Sequence, residues 1–293
     1  MRHSRDSAAY RVFSILNHGI LALLAASCLL PILHLLAMSL SANHYAESNL
    51  VGLWPKGTTL NSYAYILTNR QFLRSGTISG MRAVLGTSLN LFMTIIMAYP
   101  LSKTAKEFRG RNLYMAIVLF SMVFSGGLIP IYMLVRSLNL FDTIWALVLP
   151  TAVPTFYVVL MMNFFRGLPK DIEEAARVDG ASYIRSLLSI VLPMSSAVLA
   201  TIALFSFVGH WNAWFDGQIF NNRVENYPLQ SYLQVLITRR VPQGIDESII
   251  SRGVGQRTLT SAQIFVAMTP LLAIYPFLQR YFVKGVVVGS VKG

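Results

Sequence analysis

Apolar residues gather into six long runs, at 12–40, 77–101, 113–135, 144–165, 188–208 and 262–283, with polar segments between them. Each run is long enough for a helix to cross a hydrocarbon core, which takes roughly 20 residues. Backbone N–H and C=O groups find no partners in lipid, so a crossing segment must close its hydrogen bonds within a helix or around a barrel. The alternating apolar and polar pattern of barrel strands is absent. The pattern therefore predicts an all-α membrane protein with six transmembrane helices. Pro31, Pro100, Pro130, Pro150, Pro154, Pro270 and Pro276 fall in or beside these runs, where prolines mark kinks or ends.

Composition agrees. With 54% hydrophobic and 12% charged residues, the chain has more apolar surface than one soluble core can hide. A net charge of +12 would suit a nucleic-acid binder only if one soluble face carried it, and here the charges sit between apolar runs, so no nucleic-acid partner is expected. Cys28 is the single cysteine, which excludes an internal disulfide and a thiolate metal cage. Arg2, Arg5 and Arg11 before an apolar run look like the start of a secretory signal, and Ala25-Ala26-Ser27-Cys28 like a cleavage box. The run continues through Leu29, Leu30, Ile32, Leu33 and Leu36 to about 40, longer than a removable signal core, so a retained first span is expected.

Orientation follows from Lys and Arg, which favour cytoplasmic loops. With the N-terminus inside, the inner segments are 1–11, 102–112, 166–187 and 280–293, and they hold 14 of the 24 basic residues. Both termini are expected to be cytoplasmic. The outer segments are then about 41–76 and 209–260. In the second, Leu229, Tyr232, Leu233, Leu236 and Ile237 recur at helical spacing and predict a short amphipathic helix, lying in the membrane face or simply packed on the surface. No repeat, linker or second soluble domain is visible, and 1–293 reads as one transmembrane domain.

The stretch 173–193, EEAARVDGASYIRSLLSIVLP, is charged and lies between two apolar runs. Asp171 and Glu174 have capping-box spacing, so a helix should begin near Ile172. Gly180 is the natural stop, because glycine takes the left-handed exit conformation without strain. A second helix begins at Ser182 and continues through Tyr183, Ile184 and Leu187 into the fifth run, with Pro193 in its first turns. Force on the first helix would reach a membrane span. Ala175 and Ala176 let a helix lie deep in a partner's groove, while Glu173, Glu174, Arg177 and Asp179 supply charged rim contacts. A merely solvated loop would impose no particular order on these residues.

That order, from Glu174 to Pro193, resembles the EAA signature of permease subunits in ATP-driven importers. Gly126-Gly127-Leu128-Ile129-Pro130, Ser137-Leu138-Asn139-Leu140, Thr143-Ile144-Trp145-Ala146, Asn163-Phe164-Phe165, Gly209-His210-Trp211-Asn212 and the ending from Tyr275 to Gly285 are similar to carbohydrate-importer permeases of the LplC type, over essentially the whole chain. The resemblance implies a type I import (MetI-like) fold in the bacterial cytoplasmic, or inner, membrane. It also implies a second homologous permease, two ATP-binding-cassette ATPase subunits that use ATP and Mg, and an extracytoplasmic solute-binding protein. In that family the EAA helix docks in a cleft of the ATPase. Coupling is accordingly carried over onto Glu174, Ala175, Ala176, Asp179 and Gly180, flanked by Glu173, Arg177 and Ala181, in a coupling segment at about 171–189. A narrower similarity, to permeases for uronate oligosaccharides such as alginate, implies an acidic oligosaccharide substrate; a neutral one is the alternative.

Polar groups inside lipid are costly and mark function by default, and transporter sites lie near the midplane. Arg82, Asn90, Asn163, His210, Trp211, Asn212, Trp214 and Asp216 are the candidates for a substrate path. Trp at membrane interfaces also forms ordinary aromatic belts, and long side chains near span ends snorkel. The outer segments, with 136–143 included, hold nine Lys and Arg against six acidic residues, a balance that would suit an anionic cargo. No phosphate loop, His-Glu-x-x-His helix or Gly-x-Ser-x-Gly elbow occurs, so this chain is expected to bind no cofactor and to be no enzyme. A stand-alone secondary carrier should show ionisable residues central to several spans and inverted halves, and neither is visible.

Overall fold

The computed structural model describes the backbone over 8–238 and 253–290 and side chains over 10–238 and 253–274. Arg2, Arg5, the 239–252 part of the expected outer segment and Lys292 lie outside the described residues, as do the side chains of 275–285. All regular structure among the described residues is helical. In chain order the helices are α1 (Ala8–Ser39), α2 (Asn43–Glu47), α3 (Asn61–Thr68), α4 (Arg70–Ser102), α5 (Arg111–Val123), α6 (Leu128–Ser137), α7 (Ile144–Thr151), α8 (Thr155–Arg166), α9 (Lys170–Val178), α10 (Tyr183–Met194), α11 (Ser196–Asn212), α12 (Phe215–Ile219), α13 (Leu229–Thr238) and α14 (Gln256–Ser290).

α1, α4 and α14 contain uninterrupted stretches long and apolar enough to cross a membrane. Six spans result when α5 with α6, α7 with α8, and α10 with α11 are each taken as one bent span. The bends are 112°, 49° and 81°. Each has a local cause. Gly127, at φ 84°, ends the α5–α6 interruption in a conformation few side chains tolerate. Pro154 begins α8 and has no N–H to continue α7. Ser195 interrupts the fifth span just after Pro193, whose ring clashes with the carbonyl four residues back. The same clash accounts for the widened π turn at Leu187–Val191.

The described residues fall into two compact units. One comprises residues up to Arg70 together with 236–269. Here Ala37, Ala46 and Val51 pack with Met38 and Tyr45, Ser41 Oγ bridges Ala37 O and Lys56 N at 2.7 and 3.0 Å, and Arg257 reaches Asn49. Along most of α1, large apolar side chains such as Phe13, Leu16 and Leu23 are exposed, as on a helix surrounded by lipid.

The other unit comprises Gln71–Val235 and the segment from Pro270. Its largest core joins Ala98, Tyr99 and Leu101 of α4 to Val118 of α5, Val158, Met161 and Phe165 of α8, Val191 of α10 and Ile202 of α11. α4 organises it. Its buried residues Ser75, Ser79, Arg82, Ala83, Gly86, Asn90, Thr94 and Ala98 recur every three or four positions, a stripe of small and polar side chains on one face. Small residues let neighbouring helices approach, and polar ones must find partners there. At the start of α4, Gln71 donates to Val224 O at 2.8 Å, Arg74 to Asn226 Oδ1 at 3.0 Å, and Ser79 Oγ accepts from Leu229 N at 2.7 Å. α13 buries Leu229, Ser231 and Leu233, which gives the short amphipathic helix expected from the spacing.

Candidate coupling helix and polar cleft

α9 ends as its sequence requires. Gly180 has φ 78°, its N–H donates to Arg177 O at 3.0 Å, and Ala181 N donates to Ala176 O at 2.9 Å. This pair of bonds is the Schellman closure, which needs a left-handed residue at Gly180. Ser182 then caps α10, its side chain accepting from Arg185 N. The start differs from the capping-box expectation: α9 begins at Lys170 with Pro169 preceding it and no side-chain cap. Asp171 and Glu173 lie inside the first turn, where they favour the positive end of the helix dipole. The lever into the fifth span is also not straight, because of the 81° bend between α10 and α11.

Glu173 and Arg177 turn toward the bundle instead of forming a rim. Glu173 Oε1 accepts from Tyr99 OH at 2.8 Å, from Lys103 and from Arg177 Nη2 at 3.4 Å. Arg177 Nη1 pairs with Glu107 Oε1. Glu107 Oε2 in turn accepts from Thr104 N at 2.9 Å and Thr104 Oγ1 at 2.8 Å, closing the 102–110 loop on itself. The Thr104 backbone donor, reinforced by the Thr104 hydroxyl and Arg177 against some burial, holds the Glu107 carboxyl at about 2. Burial alone would raise Glu173, but Lys103, Tyr99 and Arg177 outweigh it and hold that carboxyl below the usual carboxylate range. Arg111 and Arg166 both donate to Leu101 O, at 3.1 and 3.0 Å, complementing the carbonyl end of α4. The opposite face of α9 stays open: Glu174, Ala175, Asp179 and Gly180 are exposed, and Val178 is 88% exposed. Ala176 and Ala181 are half-buried.

In the same unit, α4 and α11 enclose a polar cluster. Arg82 is 1% exposed, and its guanidinium forks onto Asp216, with Nη1 to Oδ1 at 3.0 Å, Nη2 to Oδ2, and a further Nη1 bond to Ala213 O at 3.2 Å. One α-helical turn pair further along, Asn90 meets Ser206 Oγ at 2.8 Å and His210 Nε2 at 3.2 Å. The amide orientation that satisfies both of its ends has the oxygen accepting from Ser206 and His210 while the nitrogen donates to Thr151 O at 2.9 Å and Ala152 O at 3.2 Å. Those carbonyls are available because the chain is interrupted before Pro154. Gly86 makes room for His210: a Cβ there would lie 2.4 Å from Nε2. The cluster opens on a cleft of about 620 Å³ lined by Arg82, Asn90, Tyr157, Phe205, His210 and Asp216.

Of the eight residues singled out for a substrate path, four come together: Arg82, Asn90, His210 and Asp216. The others lie elsewhere. Asn163 is exposed on α8, Asn212 is exposed at the end of α11, Trp211 is buried and stacked on Phe207, and Trp214 is partly exposed with its carbonyl accepting from Ser231. Helical geometry explains the split, since Ser206 and His210 are four positions apart on one face of α11 while Trp211 and Asn212 turn away. Ser206, Tyr99, Lys103 and Glu107 escaped the sequence reading. Ser206 carried a signal in its spacing from His210; Lys103 registered only as a topology charge.

Residues 75–288 match the family described as binding-protein-dependent transport system inner membrane component. The chain is 40% identical to protein LplC of Bacillus subtilis (strain 168) over 289 residues, covering 98% of this chain and 97% of that one. It is 36% identical over 287 residues to the polygalacturonan/rhamnogalacturonan transport system permease protein YtcP of the same organism, covering 97% and 99%. Among solved structures, a chain of a bacterial ABC transporter involved in the import of the acidic polysaccharide alginate superposes with a TM-score of 0.88 at 30% identity, covering 94% of this chain and 98% of that one.

Proposed function

Because the chain belongs to the family of binding-protein-dependent transport system inner membrane components and is a sugar permease of the ATP-binding-cassette class, we propose that it imports acidic oligosaccharides and is driven through α9. Permeases of this kind work with ATPase subunits and a solute-binding protein, and the chemistry of ATP belongs to those partners. On this reading a second permease completes the path, two ATPases sit at the cytoplasmic side, and α9 and the 102–110 loop face them, an orientation that the positive-inside bias supports.

One observation carries the proposal. α9 is tied to α4 through Tyr99 and through Lys103 just beyond its end, and to α11 through the Gly180 turn and α10; α4 and α11 pack together as the side of the polar cleft that carries Arg82, Asn90 and His210, while residues 151–157 also line it. Closure of the ATPases on the open face of α9 would move α4 and α11 together relative to the 151–157 stretch of the cleft lining, a rigid-body switch between inward-facing and outward-facing states. Acidic cargo is favoured by two relatives, one named for polygalacturonan/rhamnogalacturonan and one for alginate, and by a buried arginine in the cleft wall.

The test is purification with the partner subunits followed by uptake into proteoliposomes. ATP-dependent accumulation of uronate oligosaccharides, not displaced by excess neutral ones, is the expected result. Preference for neutral oligosaccharides would overturn the cargo, and uptake by this chain without ATPase subunits would overturn the whole reading.

A further inference from the structure

Resting on the acidic-cargo reading, we infer that Arg82 is a carboxylate-binding subsite in the cleft wall, in which a uronate carboxylate of the cargo exchanges with Asp216 for the guanidinium.

The Arg82–Asp216 pair is asymmetric. The Arg82 side chain is 2% exposed, whereas that of Asp216 is 24% exposed. Asp216 Oδ1 also accepts from Gly217 N at 2.9 Å, so its carboxylate keeps water and a backbone donor if it leaves the arginine. Arg82 would keep only the Ala213 carbonyl, and a buried guanidinium without an anion is strongly unfavourable. Exchange of one carboxylate for another keeps it paired throughout. Arg82 Nε, moreover, is buried and makes no hydrogen bond, although both neighbouring nitrogens do. A ligand carboxylate presented to the Nε and Nη2 edge would satisfy that donor with fork geometry.

The surroundings suit a sugar. The cleft holds about 620 Å³, within the range of roughly 300–1,000 Å³ typical of ligand sites. Phe205 and Phe156 are 46% and 54% exposed and, with Tyr157, offer ring faces beside it. Asn90 and His210 present hydrogen-bonding groups to hydroxyls on the α4–α11 side.

Equilibrium binding of an oligogalacturonate, and of its neutral methyl ester of the same length, to the detergent-solubilised permease–ATPase complex without the binding protein tests this directly. Arg82→Gln should weaken binding of the acid at least ten-fold and change the ester less than two-fold. Asp216→Asn removes the competitor and should strengthen binding of the acid while leaving the ester unchanged, a gain that a structural pair would not give. Arg82→Lys, which keeps the charge without the fork, should fall between wild type and Arg82→Gln and guards against misfolding of the latter. Equal losses for acid and ester in both Arg82→Gln and Asp216→Asn, or acid binding indifferent to Arg82, would overturn the inference. In that case uronate uptake by the wild-type transporter would leave the cargo reading standing; absence of uronate uptake would remove both.

Discussion

Arg177 Nη1 donates to Glu107 Oε1 at 2.9 Å, tying the helix that would receive the ATPase to the loop that closes α4. Both side chains are about one-third exposed, so the pair alone is worth only about 0.2–1 kcal/mol. Its consequence is mechanical. Glu107→Gln should lower the stability of the complex by about 1 kcal/mol or less, while uptake per ATP hydrolysed falls several-fold. Thermal unfolding and the uptake-to-hydrolysis ratio, measured on the same preparation, separate the two effects.

The same carboxylate sets a pH dependence. Its pKa is lowered from 4.5 to about 2 in the folded chain, so its stabilisation is fully present above pH 4.5 and is lost as pH falls toward 2. The unfolding midpoint of the wild type should therefore drop between pH 5 and 3 more steeply than that of Glu107→Gln, and above pH 6 the difference between them should be constant. Parallel curves throughout that range would mean that Glu107 is not held by this network.

At Gly180 the demand is on the backbone. A β-branched residue at φ 78° costs about 1–2 kcal/mol, enough to open the Schellman closure. Gly180→Val should leave ATP hydrolysis running and reduce uptake severely, with Gly180→Ala intermediate. Reversal of charge at the exposed Glu174 should uncouple in the same direction through the docking face, without loss of thermal stability.

Gly86 is constrained by a side chain across the helix interface. A Cβ there would lie 2.4 to 2.5 Å from the His210 ring, and since that ring is buried, something must shift. Gly86→Ala should cost about 1–3 kcal/mol, the usual range for overpacking, and displace His210 from Asn90. A lowered unfolding midpoint together with a changed His210 ring resonance checks this.

Most of the span pattern was legible because apolar runs of membrane-crossing length leave few alternatives, and α9 was legible because a left-handed glycine stop has a recognisable sequence. The breaks were harder. A hydropathy run through 113–135 does not register the turn at Gly127, and a run through 188–208 does not register the bend at Ser195, because both interruptions are made of residues that are themselves apolar or small. The polar cleft was half legible. Arg82, Asn90, His210 and Asp216 stood out as costly groups in or beside the spans, but which of them meet depends on how α4 and α11 are rotated; Trp211 and Asn212, next to His210 in sequence, turn away from the cleft, whereas Ser206, four positions before it, lines it. The clasp at Glu173 was invisible for a similar reason: Tyr99 and Lys103 are some 70 positions away, and only the packing of α4 beside α9 brings them together.

The central claim, that the ATPase drives this chain through α9, is tested most directly by a cross-link. Cys28 is the chain's only cysteine, so Val178→Cys in a Cys28→Ser background places a single thiol on the exposed face of α9. With a single cysteine in the docking cleft of the ATPase, the account predicts a covalent product between the two subunits and a block of ATP-driven uptake that reduction reverses. A transporter with full ATP-driven uptake, in which residue 178 reacts freely with a soluble maleimide and forms no product with the ATPase in the presence or absence of nucleotide, would contradict it.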